Sequence, residues 1–461
     1  MLFSSISFLY YFLPVVLILY FVVPSKLKNL VLLLASLVFY GWGEPIYILL
    51  MLASILIGYV SACLIGAKNN RRFRRFVLAA ATLTLLGFLA YFKYADFFLE
   101  NFNAVTGISV PLLRIALPIG ISFYTFQILS YVIDVYRRDV KVQKNIVNLA
   151  AYITMFPQLI AGPIVRYRDI ANRLESRTHS FANFSLGLRR FVMGLSKKVL
   201  IANVLGQLCD IFRSSEEKSV LFYWMYVLAF SLQIYFDFSG YSDMAIGLGR
   251  IFGFRFCENF NYPFISKSIT EFWRRWHMSL STWFRDYVYI PLGGNRVSRT
   301  RWLFNIFVVW MLTGFWHGAA WNFILWGLYF AVFLCIEKLF LLKKLKTHKV
   351  IGRVYTLLVV AISFVIFNAA DMGELFVDIK SIFGFGNLPF VTKECLYYLR
   401  SYALPLLFAL FGATPFVKLS AKRLSKAIRN SAEPIVLVVL VLLVTAFLVD
   451  GSFNPFLYFR F

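Results

Sequence analysis

Two imidazoles, each directly following a tryptophan, offer the clearest chemistry in this chain: His277 in RRWHMSLSTW and His317 in FWHGAAW. Imidazole titrates near ~6.5, so at neutral pH it can accept a proton from a hydroxyl and later release it. His317 lies well inside apolar sequence, between Trp316 and the small residues Gly318, Ala319 and Ala320, which let a neighbouring helix or a substrate chain approach the ring. His277 sits in a polar, Trp-rich segment upstream. A membrane-embedded neutral histidine is a sensible general base, and an imidazole that only hydrogen-bonds between helices is the reading the residues alone leave open beside it. His179 and His348 fall in basic loops and read as solvated. A second polar set lies in YFDFSGYSDMAIGLGR, where Asp237, Ser239, Tyr241, Ser242 and Asp243 directly follow an apolar run. An ionisable group at that depth costs at least ~2.5 kcal/mol, so the two aspartates are expected to support helices and polarity by pairing with Arg250 or Arg274.

These residues must be positioned in a bilayer. Hydrophobic residues make up 60% of the 461 and charged residues 15%, far from the roughly 45–50% and about 25% of soluble domains. Runs such as Phe8 to Val23, Ile46 to Ile65, Val77 to Phe92, Ser219 to Phe236, Val354 to Phe367 and Ile435 to Val449 approach or reach the ~20 residues that cross a hydrocarbon core. With less tidy segments between them, the pattern predicts an all-α polytopic membrane protein of about ten to twelve spans. The first run is not read as a cleavable signal, since no basic residue precedes it and further spans follow at once. The net charge of +25 reports orientation rather than nucleic-acid binding. The clusters at Lys26 and Lys28, Lys68 to Arg75, Arg137 to Lys144, Lys343 to Lys349 and Lys418 to Arg429 agree on one face. The positive-inside rule puts them in the cytoplasm and both termini outside. The five cysteines are scattered singly and the four histidines form no HxxxH pair, so neither a disulfide framework nor a metal site is indicated. With no linker and no internal repeat, residues 1–461 read as one membrane domain carrying an extracytoplasmic aromatic tail at 450–461.

In the middle of the chain, Gly, Pro and polar residues fall inside apolar stretches. Irregular backbone at membrane depth must be buried in protein or line a wet cavity. MFPQLIAGPIVRY, which contains Gln158, has two prolines and a glycine and reads as re-entrant. In Glu271 to Arg296, the residues Trp273, Trp276, Leu280, Trp283 and Phe284 can share one helical face, which fits a helix lying in the membrane interface. The apolar stretch Leu303 to Ile336 is too long for one simple span.

The ordered set PIGISFYTFQILSYVIDVY, FPQLIAGPI, YFDFSGYSDMAIGLGRIFGF, NYPFISKSITEFWRRWHMSLSTWFRDYVYIPLGGNR and LTGFWHGAAWNFILWG resembles the membrane-bound O-acyltransferase family, over most of the chain. The resemblance is to its bacterial branch, which includes alginate and peptidoglycan O-acetylation components and the teichoic-acid D-alanylation channel. It implies a ring of helices around a tunnel, with the family's central catalytic histidine at His317 and a second, less strictly required one at His277. Gln158, Asp237, Ser239, Tyr241, Asp243, Trp276 and Trp316 are then candidates for lining or supporting the tunnel. It also implies a cytoplasmic acyl thioester, acetyl-CoA being the expected donor with no permanently bound cofactor. The acceptor it implies is an exported polysaccharide, reached with an extracytoplasmic SGNH-type partner at a bacterial cell membrane. Basic cytoplasmic clusters suit a phosphate-rich donor.

The chain ends in NPFLYFRF. By composition this is an interfacial anchor. In the teichoic-acid system a separate small partner ends in an aromatic motif whose tyrosine is thought to carry the acyl group, and the resemblance makes Tyr458 an acyl-carrier candidate. A phenol of pKa about 10 leaves more readily than a sugar hydroxyl, so an acetyl-tyrosine keeps transfer potential. D-alanyl or lipid acyl transfer by the same fold is the neighbouring reading. A secondary transporter is the rival from another class, and it calls for halves with matching interrupted spans, which the sequence lacks.

Overall fold

A backbone in lipid must satisfy its own hydrogen bonds, and the apolar runs accordingly close into helices. The computed structural model describes residues 1–385, 387–423 and 425–451, and among these every regular element is helical. Seven helices are long and apolar enough to cross a membrane: Ile48–Ala67, Arg71–Thr106, Phe181–Ser214, Val220–Ile251, Trp321–Thr347, Lys349–Asn368 and Asn430–Asp450. The bent pair Lys393–Ser401 and Ala403–Gly412, which turns by 56°, makes an eighth if it is one span. Shorter apolar helices such as Ser7–Val22 account for further runs seen in the sequence. The aromatic tail, with Tyr458, lies outside the described residues.

The helices group into two compact units, Met1–Phe191 with Met244–Cys257, and Val192–Asp243 with Glu258–Phe461. In the first, Ile48–Ala67 packs on Ile121–Arg137, and Gly58 makes this possible because a Cβ there would collide with Ile128. The segment expected to be re-entrant is indeed broken: helix Ile146–Thr154 ends at Met155, a single turn Phe156–Leu159 follows, and the chain then leaves helical geometry. Every residue from 149 to 165 is buried, as irregular backbone at that depth requires. Gln158 belongs here. It is fully buried, its Nε2 donates to the Tyr152 carbonyl at 2.5 Å, and its Oε1 has no hydrogen-bond partner.

The second unit holds both tryptophan–histidine pairs. The long apolar stretch resolves into two helices, Arg299–His317 and Trp321–Ile336, joined by three residues. They cross at Gly314 and Gly327. A Cβ on Gly314 would strike the Phe323 carbonyl, and one on Gly327 the Trp310 carbonyl, so the two backbones touch directly. Gly318 is excluded from any side chain by the Phe323 ring.

Candidate active site

His317 is the last residue of its helix and is only 7% exposed. Three rings meet it edge-on: Trp316 at 4.9 Å, Trp326 at 4.9 Å and Phe367 at 5.3 Å. Trp326 is delivered by the glycine crossing, and Phe367 by Asn322, whose Nδ2 donates to the carbonyls of Phe367 at 3.2 Å and Ala369 at 3.0 Å. The imidazole is thereby held by packing against aromatic walls.

His277 is also buried. Its backbone is left-handed, with φ 44°, a conformation uncommon outside glycine, and it separates Ile269–Phe272 from Met278–Phe284. The expected single interfacial helix is therefore two short helices and a π-helical turn, Arg285–Tyr289. Asn259 causes the break. Its carbonyl accepts from Met278 N–H at 3.0 Å, and its side-chain Oδ1 accepts from Ser279 N–H at 3.2 Å and Ser279 Oγ at 2.9 Å. The apolar set Trp273, Trp276, Leu280, Trp283 and Phe284 is buried in protein rather than laid against lipid. Trp276 stacks on Phe272 at 5.5 Å and meets Phe260 edge-on at 5.1 Å, which makes it a structural part of this cluster.

Asn259 also fixes the tautomer. A backbone N–H can only donate, so the Ser279 bond identifies the side of Asn259 that faces it as Oδ1, and His277 Nδ1, 3.2 Å from the same oxygen, must donate to it. The lone pair then resides on Nε2. Phe238 meets the His277 ring edge-on at 4.7 Å, and Trp316 lies 6.1 Å away on the path to His317. Both imidazoles thus surround one indole.

His277 lies in the connection between spans, and burial pushes it from the ordinary 6.5 down to about 3. The native state keeps it neutral where the denatured chain protonates. It therefore costs no stability above about pH 6.5 and removes stability as pH falls below that, at about 1.4 kcal/mol per pH unit. Thermal melts in detergent between about pH 4 and pH 8 should show this slope, and His277→Asn, which binds no proton, should flatten it. An identical slope in the variant would contradict the burial argument.

The two aspartates find lysines rather than Arg250 or Arg274. Asp237 pairs with Lys198 at 2.5 Å, each side chain 3% exposed, and Asp243 pairs with Lys197 at 2.6 Å. A π-helical stretch, Lys197–Ala202, presents both lysines. Gly240 lets the helices meet, since a Cβ there would lie 2.7 Å from the Gly194 carbonyl and 3.2 Å from Lys198 N. Ser239 is buried with no partner for its Oγ, and Tyr241 is buried nearby on the same helix. Lys197, Lys198 and Asn259 had no role in the sequence reading. The signal for the lysines was a KK pair inside the apolar run VMGLSKKVLIANVLG, whereas Asn259 in ENFNYPF reads as an ordinary loop residue. Glu337 is a further buried anchor, accepting from Ile269 N–H at 2.5 Å and from Thr270 N–H at 2.9 Å.

A cavity of about 230 Å³ opens beside these elements. Arg274, Arg285 and Lys338 give it three cations, and Trp273, Trp310 and Thr313 line its apolar side. Thr313 stands one helical turn before His317, and the rings Trp310, Trp273 and Trp326 run in contact at 4.6 and 5.7 Å toward that imidazole. The indole N–H of Trp273 is buried without an acceptor.

The chain matches the model of the membrane-bound O-acyltransferase family over residues 5–370. A probable alginate O-acetylase of Azotobacter vinelandii is 44% identical over 393 residues, which cover 84% of this chain and 79% of that protein. A peptidoglycan O-acetyltransferase of Helicobacter pylori is 34% identical over 439 residues, 87% of this chain and 83% of that protein. A teichoic acid D-alanyltransferase of Bacillus subtilis is 32% identical over 235 residues, 48% of this chain and 59% of that protein. With both buried histidines inside the matched region, this multi-pass chain belongs to the membrane-bound O-acyltransferase family.

Proposed function

We propose that the protein takes an acetyl group from acetyl-CoA on the cytoplasmic side of a bacterial cell membrane and delivers it outward for O-acetylation of an exported cell-surface polysaccharide. The observation that carries this reading is the aromatic-walled His317, one helical turn beyond a cavity that joins three cations to an apolar wall. Such a cavity suits a donor whose phosphates need cations and whose pantetheine arm needs cover. The names of the alginate and peptidoglycan relatives support acetyl as cargo and a polysaccharide as final acceptor.

In the proposed step, His317 removes the proton from an acceptor hydroxyl as its oxygen attacks the thioester carbonyl. The tetrahedral intermediate collapses, the C–S bond breaks, and the departing thiolate takes the proton from the imidazolium. The products are an acetyl ester and free CoA thiol. His277, with its lone pair on Nε2, orients acceptor or donor. Trp316 spaces the two rings, while Asp237 and Asp243 hold the supporting helix through their lysines. The acceptor is the phenol of Tyr458, and an exported SGNH-type transferase then moves acetyl from tyrosine to polymer. This reading places the basic clusters in the cytoplasm and both termini outside.

Tyr458→Phe keeps the aromatic anchor and removes the carrier. The variant should release thiol from acetyl-CoA at a background rate only and leave the polymer without O-acetyl groups, and labelled donor should mark the wild-type C-terminal peptide in mass spectrometry. Normal polymer acetylation in cells carrying Tyr458→Phe would refute the relay. Donors carrying D-alanyl or long acyl chains, run in the same assay, separate those cargoes from acetyl.

A further inference from the structure

Away from the histidines, the unit that contains the first 191 residues holds a knot of cations built around Arg177. Its Nε donates to the Tyr20 hydroxyl at 2.7 Å, and its Nη1 donates to Asn29 Oδ1 at 2.6 Å and to the Arg173 carbonyl at 3.2 Å. Its Cζ lies 4.6 Å from the Phe254 ring centre. All of these partners are neutral, and they are themselves fixed. Tyr20 is fully buried and donates to the Phe252 carbonyl at 2.7 Å, and Asn29 Nδ2 is held by Asn148 Oδ1 and the Leu174 carbonyl. The remaining nitrogen, Nη2, is buried and has no hydrogen-bond partner.

Further basic side chains stand near this guanidinium. Lys28 Nζ stands 4.9 Å over the Tyr20 ring, and His179 Nε2 lies 2.9 Å from the Tyr20 hydroxyl. Burial, then Arg255 and Arg250, hold Arg173 below its ordinary value; burial and Arg177 do the same to Lys28. His179 is lowered by burial, Lys28 and Arg177, against a smaller opposing effect of the Phe252 carbonyl. Among the described residues, no ion pair involves Lys28, Arg173, Arg177, Arg250 or Arg255. Gly253, with φ +86°, lets Arg177 and His179 pack close against its main chain, since a Cβ there would lie 3.1 Å from Arg177 Cδ and 3.3 Å from His179 Nε2. A pre-organised guanidinium with an unsatisfied N–H among uncompensated cations is the arrangement an oxyanion completes, and the guanidinium fork matches phosphate.

We infer that this cluster is a binding site for a phosphate group, separate from the acyl-transfer centre and independent of its assignment. The phosphate comes either from an anionic phospholipid headgroup or from a water-soluble phosphate ester. The exposed Phe21, 5.6 Å from the His179 ring, offers a lipid chain a surface beside the cluster.

The test uses the full chain in detergent. Phosphatidylglycerol, with phosphatidylcholine as the zwitterionic control, is read by native mass spectrometry, and inorganic phosphate and glycerol phosphate by calorimetry at low salt. Binding of phosphatidylglycerol alone assigns the lipid source, and binding of the soluble probes assigns the solute source. In the double variant R173Q/R255Q, which leaves the side-chain hydrogen bonds of Arg177 intact, the bound probe should weaken tenfold or more at unchanged melting temperature. Lys28→Gln serves as a second variant should the double one fail to fold, and Arg177→Gln should abolish binding. The inference is overturned if no phosphate probe exceeds its control on the wild type, or if wild-type affinity persists in the folded variants.

Discussion

Purified His317→Ala protein should release free thiol from acetyl-CoA about 10³-fold more slowly than the wild type, the range a positioned general base contributes. The expectation rests on placement. His317 is walled by Trp316, Trp326 and Phe367, none of which can serve as the proposed base in its place. Alanine also leaves a hole among three aromatics, and a buried truncation of this kind costs roughly 2–5 kcal/mol. Lost activity in that variant alone would therefore mix chemistry with folding. His317→Gln separates them, because glutamine fills most of the volume and hydrogen-bonds but binds no proton near neutrality. It should melt within a few degrees of the wild type and be as inactive as the alanine variant. A glutamine enzyme retaining more than a tenth of wild-type thiol release would dismiss His317 as the base.

The second large effect is on stability. Removing one partner of the Lys198–Asp237 pair should cost about 3–5 kcal/mol, because the other charge stays buried with its ion-pair partner gone. Both side chains are 3% exposed, so water cannot take over. Asp237→Leu and Lys198→Met should each lower the melting temperature sharply, and the double variant should recover much of the loss, since two apolar side chains leave no orphan charge. The Lys197–Asp243 pair, with 27% and 17% exposure, should respond more weakly to the same substitutions. Equal, additive losses in the Lys198 and Asp237 variants would show that the two residues are not energetically coupled.

The helical architecture and the buried position of His317 were legible because bilayer burial writes itself in long apolar runs, and a polar ring inside such a run stands out. The proline and glycine pattern of Met155 to Tyr167 likewise announced a broken segment, since no lipid-facing helix tolerates it. What sequence could not show was pairing across helices. Asp237 had several arginines within range of the imagination, and the choice of Lys198 depends on a π-helical offset and on the bare backbone of Gly240. Periodicity also misled at His277. Apolar steps of three and four continue through Trp273, Trp276 and Leu280, yet the backbone reverses its twist at residue 277 because Asn259, an unremarked loop residue, captures the next two N–H groups. Such a capture changes one φ angle and leaves no trace in the pattern of side chains.

The meeting of Gly314 and Gly327 has a mechanical consequence. With main chain resting on main chain there is no layer of side chains to compress, so the two helices form a stiff clip whose short link carries His317 at its tip. His317 and Trp326 then travel as one piece. Any molecule that needs room beside the imidazole must obtain it from outside this clip, where Phe238 and the ring of His277 are mounted on separate supports, and that wall is where the cleft yields.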